Sequence, residues 1–179
     1  MNMRLRIILL LAIFAAPQAT LLRAHGGDEE LQKTLKVLFP DATGFTPRKK
    51  SFTAAQVTQI EQAAGSKLAK NDNPMEFYVA LGKPANGSGV LGTVVLIDAK
   101  GTKGLMDMAL GVNRDGSIAR VVITENTDDK GLSAATFLDQ LKGKNAQSPL
   151  AVGKDIRYAG DAKSAEGLLS AVRRGLRGR

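Results

Sequence analysis

Residues 105–124 read LMDMALGVNRDGSIARVVIT. Two largely apolar runs, LMDMALGV and SIARVVIT, flank the polar, glycine-ended NRDG, and that pattern predicts a β-hairpin. Upstream, EFYVAL (76–81) and GVLGTVVLID (89–98) have the same strand character, separated by the flexible loop KPANGSG (83–89). Gly92, inside the second of these runs, marks a bulge or a close backbone approach. Four such runs in succession make an antiparallel sheet the economical arrangement.

Helical periodicity lies on both sides of this sheet. In DEELQKTLKVLF (28–39), Asp28 is placed to cap, Leu31, Leu35 and Leu38 share one face, and Pro40 stops the helix. DATGFTPRKK (41–50) reads as loop. In SFTAAQVTQIEQAAG (51–65), Thr53 and Gln56 have capping-box spacing, Phe52 and Val57 have staple spacing, and Gly65 supplies the end signal. After the hairpin, ENTDDKGLSAATFLDQLKGK (125–144) begins as a polar loop. It continues as a short helix with Ser133 as its cap and Ala134, Phe137, Leu138 and Leu141 on one side. NAQSPLAVGKDIRYAG (145–160) is irregular, with room for one short strand. In GDAKSAEGLLSAVRRGL (160–176), Ala165, Leu168, Leu169, Val172 and Leu176 form an apolar stripe. Helices before and after a run of strands imply an α+β fold, an antiparallel sheet packed by helices, rather than a βαβ array. The expected divisions are an N-terminal targeting segment (1–24), a helical N-terminal extension (25–75) and the sheet-bearing domain (76–179).

The targeting segment, MNMRLRIILLLAIFAAPQATLLRA, has Arg4 and Arg6 ahead of an apolar run from Ile7 to Ala16 and a small-residue tail. This is the pattern of an export signal, with Ala19 or Ala24 the last residue removed, and it implies a periplasmic or otherwise exported protein. Extending the apolar run to Leu22 leaves an uncleaved inner-membrane anchor as the alternative, the only route to membrane contact. Cleavage after Ala24 would expose His25 as a terminal chelator for copper or, without a second histidine, as part of a solvated tail.

Composition excludes much chemistry. The 179 residues include no cysteine and one histidine, so thiolate nucleophiles, zinc–thiolate sites, HExxH motifs and a Ser-His-Asp triad within the fold are ruled out. Removing residues 1–24 takes away Arg4, Arg6 and Arg23 and no acid, which lowers the formal charge from +8 to +5. Arg173, Arg174, Arg177 and Arg179 concentrate the surplus at the C-terminus, where cations complement a helix dipole. An aromatic content of 4% lacks the stacking platforms that nucleic-acid binding needs. Any redox chemistry would come from a cofactor.

Two loops carry more than packing. ENTDDKGL (125–132) gathers Glu125, Asp128 and Asp129, which suit either a hard cation or acid–base work, or else a solvated loop ahead of a helix N-terminus. The loop from Tyr158 to Ser164 opens the last helix, where free N–H groups favour anions and Gly160 admits close approach. Lys163 would add positive charge there, Asp161 would repel a phosphate, and Asp161 or Ser164 is equally a plain helix cap.

The order and spacing of GVNRDGSIARVVITENTDDKGL, FLDQLKGK (137–144) and AGDAKSAEGLLSAVRRGL resemble the FMN-binding domain family. That family includes exported flavin subunits of the RNF and sodium-pumping NADH:quinone oxidoreductase complexes. The resemblance covers residues 90–178, and residues 28–75 fall outside it. It implies an exported domain that holds FMN and passes electrons, with periplasmic or membrane redox proteins as partners. The family's glutamate-threonine-proline-glycine-leucine stretch falls on Asp128, Asp129, Lys130, Gly131 and Leu132. Its serine-glycine-alanine-threonine signature, whose threonine carries FMN through a phosphoester, falls on Ala159, Gly160, Asp161 and Ala162. Ala162 has no oxygen for that ester, and Ser164, two residues on, points about 200° around the helix axis. The resemblance therefore implies noncovalent FMN, with Asp128, Gly131, Leu132, Gly160, Asp161, Ala162, Lys163 and Ser164 as the cofactor-binding residues and no catalytic residue or metal site. A flavin-free scaffold of a periplasmic redox system is the alternative, and a flavin-using reductase with its own substrate is a third reading.

Overall fold

The computed structural model describes residues 28–69, 72–83 and 89–179. The export or anchor segment, the His25 tail and most of the KPANGSG loop lie outside the described residues. Among those described, no helix is long and apolar enough to cross a membrane.

The chain runs α1 (Asp28–Leu38), β1 (Gly44–Lys50), α2 (Ala54–Ala64), β2 (Met75–Leu81), β3 (Val90–Lys100), β4 (Leu105–Asn113) and β5 (Ile118–Asn126). A broken helical segment follows, with α3 (Ala135–Leu138) between 3₁₀ turns at Lys130–Ser133 and Asp139–Leu141, and α4 (Ala162–Gly178) ends the fold. The five strands form one antiparallel sheet in the order β1-β2-β3-β4-β5. The architecture is the expected α+β arrangement with a helical N-terminal part.

Strand alternation divides the core in two, since successive side chains leave opposite faces. Val94 and Ala109 join Leu35, Leu38 and Phe39 under α1, with Leu31 partly buried beside them. Val95, Ile97, Met106, Met108 and Leu110 face the larger layer, where α4 contributes Ala165, Leu168, Leu169, Val172 and Leu176. The expected stripe on α4 is therefore core; Leu168 and Leu169 are fully buried, each contributing about 1.5–3 kcal/mol of transfer free energy. Small residues let α4 come close to the sheet. A Cβ on Gly167 would stand 2.1 Å from the Lys100 carbonyl oxygen, so only glycine fits where the helix crosses the end of β3.

Several local expectations hold. NRDG makes the β4–β5 turn, with the Gly116 N–H donating to the Asn113 carbonyl at 3.0 Å and Gly116 at φ 90°. On α2 the Thr53–Gln56 capping box forms, and Gly65 ends the helix at φ 70°. Gly92 is a close approach, because a Cβ there would meet the Val112 carbonyl oxygen at 2.2 Å.

Three expectations need correction. DATGFTPRKK is not all loop: residues 44–50 form β1, paired along its length with β2 from Gly44↔Leu81 to Lys50↔Met75. Pro47 and the basic run hide the strand pattern, yet an edge strand tolerates proline and its lysines discourage edge-to-edge pairing. The helix expected after the hairpin is broken into short turns. Asp129, not Ser133, caps its start by accepting from Gly131 N–H, and Ser133 Oγ instead accepts from the Asn126 side chain at 2.9 Å. The C-terminal arginines are tethers as much as dipole complements. Arg174, 6% exposed, binds Asp72 at 3.3 Å, Ser66 Oγ at 2.8 Å and the Asp98 carbonyl at 2.7 Å. Arg173 reaches the Leu150 carbonyl and Arg177 the Ala146 carbonyl. These bonds fix α4 against β3 and the flanking loops.

Candidate functional site

The two loops singled out in the sequence meet at the N-terminus of α4. The main-chain N–H of Asp161 donates to Asp129 Oδ2 at 3.1 Å. A third element, the β3–β4 turn around Gly101–Gly104, closes against both. Asp128 Oδ2 accepts from the N–H groups of Lys103 (2.5 Å) and Gly104 (2.6 Å), and its Oδ1 accepts from Asp129 N–H at 2.8 Å. Thr102 completes the junction. Its N–H donates to Ser164 Oγ at 2.9 Å, and its hydroxyl donates to Asp161 Oδ2.

These bonds set the electrostatics. Burial pushes the Asp128 carboxyl up, but the Ser164 hydroxyl and the N–H groups of Lys103, Asp129 and Gly104 outweigh it and hold the pKa down to about 2. For Asp129, the facing Tyr158 hydroxyl and the N–H groups of Asp161 and Gly131 lower the pKa. For Asp161, the Thr102 hydroxyl leads and the Lys163 and Ser164 donors assist against a burial penalty. Three carboxylates thus stand ionised at neutral pH around one junction. Among the described residues, no group of three or more acidic or histidine side chains is arranged to hold a metal ion.

Beside the junction lies an open groove of about 1080 Å³. Asp129, Gly131, Phe137, Gln140, Arg157, Tyr158 and Gly160 line it. Phe137 and Tyr158 pack edge to face, with ring centroids 4.9 Å apart at 62°. Gln140 locks the far side of the groove, donating to the Arg157 carbonyl at 2.9 Å and accepting from Arg157 N–H at 2.7 Å. Gly160 is required where it stands, because a Cβ there would meet Asp129 Oδ2 at 2.5 Å and the Tyr158 hydroxyl at 2.6 Å. The Tyr158 oxygen is buried and makes no hydrogen bond of normal geometry with any described residue. Burial, followed by the nearby Asp129 carboxylate, raises its pKa well above the usual phenol range.

The eight expected site residues separate into different roles. Gly131 and Gly160 line the groove. Asp161 caps α4 by accepting from Lys163 N–H at 3.0 Å, and Ala162, exposed, is the helix's first residue. Asp128, 8% exposed, has its carboxylate committed to the β3–β4 turn, Ser164 is fully buried in the Thr102 junction, and Leu132 is core. Lys163 borders a second groove on the other side of α4, with Lys100, Glu166 and Arg174. Glu125, the remaining acid of the first loop, is exposed on β5 opposite Asp107. Phe137, Gln140, Arg157 and Tyr158 were not singled out as ligand residues. The i,i+3 spacing of Phe137 and Gln140 in FLDQLKGK was the available signal, since it puts both on one side of a helical turn.

The flavin implied by the sequence resemblance can be tested against these atoms. Its phosphate does not fit the start of α4. There the Asp161 carboxylate already accepts the Lys163 N–H and would repel an anion, and Ala162 offers no hydroxyl. In the groove the half-buried Tyr158 offers ring surface, backed by Phe137, which is 2% exposed and belongs to the core, and the close spaces at Gly131 and Gly160 are filled by Asp129 and the Tyr158 hydroxyl.

No protein-family model matches the chain, and no curated protein matches it. Among solved structures the chain is similar to the crystal structure of Shewanella oneidensis NqrC, with a TM-score of 0.50 and 17% identity. The fold is NqrC-like. The match covers 83% of this chain and 89% of that chain, more than residues 90–178 could supply, so the likeness takes in residues of the helical N-terminal part.

Proposed function

We propose that this chain is an exported protein of flavin-linked electron transfer that holds a flavin noncovalently in the groove between residues 129–140 and 157–160. The observation that carries this reading is the Asp161 N–H to Asp129 Oδ2 bond, which joins both family-like loops at the mouth of an aromatic-walled groove. The NqrC-like fold and the family-like order of motifs support it independently. A bound flavin would supply one- and two-electron transfer that no side chain here offers. The chain's own part is to offer the Tyr158 ring, backed by Phe137, as a stacking surface and to hold the α4 junction together. Residues 76–179 carry the site in this reading, the described part of residues 25–75 completes the sheet and its packing through β1 and α1, and residues 1–24 direct export or anchor the chain. Redox proteins of the periplasm or membrane are the partners.

The occupied N-terminus of α4 favours one second reading, a flavin-free scaffold of the same kind of redox system. Visible absorption of the protein purified from its native host separates the two. Flavin bands support the first reading, and a colourless protein to which no flavin binds overturns it.

A further inference from the structure

The second groove, of about 700 Å³, lies on the other flank of α4, against the end of β3, the start of β4 and the linker after α2. Its walls carry apolar surface. Leu68 and Ala69 are half-buried, and Leu105 is 44% exposed, one of two large apolar side chains left so open among the described residues. Most charged groups along it are already bound. Glu166 is held by Arg173 at 2.7 Å and Lys67 by Glu61 at 2.8 Å, while Arg174 is spent on Asp72, Ser66 and the Asp98 carbonyl. Asp98 stands at that Arg174 end, where its charge acts on Asp72. Lys100 and Lys163 differ. Both are exposed, and neither ammonium group has a hydrogen-bond or ion-pair partner among the described residues. The fold also brings them to one end of the groove. Gly167 packs directly on the Lys100 carbonyl, and Lys163 lies one turn earlier on the same face of α4.

We propose that this groove binds an amphipathic anion, a single aliphatic chain ended by an anionic headgroup, with Lys100 and Lys163 on the headgroup and Leu68, Ala69 and Leu105 along the chain. Charge complementarity carries the choice. Two neighbouring ammonium groups without a counter-charge gain from an anion placed between them, and the open leucine beside them gains from being covered. An uncharged chain leaves the lysines unpaired, and a small inorganic anion leaves the leucine in water. A groove of about 700 Å³ has the size of a small-molecule site. It shares no lining residue with the groove beside Tyr158, so the inference is independent of the flavin reading.

The test is calorimetric titration of the full mature protein with dodecanoate, below its micellar concentration, and with dodecanol. Dodecanoate should bind at least about tenfold more tightly at low ionic strength, the scale of a charge pair near a protein surface, and added salt should narrow that ratio. Decanoate should bind roughly tenfold more weakly than dodecanoate, as the loss of two buried methylenes requires. Combining Lys100→Gln with Lys163→Gln should remove the preference for the carboxylate, and Leu105→Ser should weaken both ligands. All three positions are exposed, so these variants keep the core intact. Phosphatidylglycerol vesicles that displace dodecanoate assign the ligand to a membrane lipid, and vesicles without effect assign it to a free amphiphile; both support the site. Absence of dodecanoate binding, equal affinity for dodecanol, or an affinity indifferent to the lysine substitutions overturns the inference.

Discussion

Asp129 and Asp161, 32 residues apart in sequence, are joined by a main-chain N–H to carboxylate bond of 3.1 Å. Through this bond the loop that leaves the sheet and the loop that enters the last helix become one surface. Its neighbours Asp128, Thr102 and Ser164 attach the β3–β4 turn to the same point. The candidate site is thus built on a rigid junction of three connections, and its groove is the space left beside them.

That junction should be sensitive to acid through Asp128. Its folded pKa of about 2 lies below the ordinary value of about 3.9. A carboxylate depressed on folding contributes stability that is fully present above its unfolded pKa and is lost as pH falls through the folded one. Urea denaturation should therefore show stability declining from about pH 4 down to about pH 2. Asp128→Ala should cost about 1–3 kcal/mol at neutral pH, because the N–H groups of Lys103 and Gly104 lose their acceptor. The variant should also show a shallower acid decline; an unchanged midpoint at neutral pH would contradict the clamp.

Arg174 should matter far more than its neighbours at the C-terminus. Truncating it to Ala leaves Asp72 buried without its cation and frees Ser66 and the Asp98 carbonyl, for an expected loss of about 3–5 kcal/mol. Pairing Arg174→Met with Asp72→Asn should recover a large part of that loss, since the uncompensated charge is gone. Thermal unfolding of the single and double variants reads both effects. Equal stability of Arg174→Ala and the native chain would show that this network does not hold α4.

Tyr158 separates packing from hydrogen bonding. Its buried hydroxyl lies outside normal hydrogen-bond geometry yet helps hold the facing Asp129 carboxylate ionised, so Tyr158→Phe should change stability by less than about 1 kcal/mol and move the Asp129 pKa back toward the ordinary value. Tyr158→Ala removes the edge-to-face partner of Phe137 and the groove wall. It should weaken flavin binding by roughly tenfold or more, in line with the worth of an aromatic stack in a ligand site. A flavin titration of both variants checks this, and equal affinities would move the ring out of the groove.

Much of this fold can be read from the residues themselves. NRDG between two largely apolar runs, the Thr53–Gln56 capping box and the apolar stripe of α4 are local patterns with one good solution each, and the structure takes that solution. β1 could not be read in the same way. Its glycine, proline and basic run lack alternation, and what makes it a strand is the open edge of β2, a partner remote in sequence. The segment 130–141 fails as a single helix because Asp129 captures Gly131 N–H and starts a tighter turn than the apolar spacing alone suggests. The site divides similarly. That residues 125–132 and 158–164 belong together was legible from order and spacing. That Asp128 and Ser164 turn inward, and that Phe137, Gln140, Arg157 and Tyr158 form the walls, depends on how three connections pack in space.

The central claim is that this NqrC-like chain holds a flavin in the groove without a covalent bond, because Ala162 stands where an acceptor hydroxyl would be needed. It is tested most directly on protein purified from its native host, by recording the visible spectrum before and after acid precipitation and the intact mass of the precipitate. The account predicts flavin absorption in the native protein, release of all colour into the supernatant, and a chain of the mass its sequence requires. A flavin adduct on the chain, or a colourless protein that takes up neither riboflavin nor FMN, would contradict it.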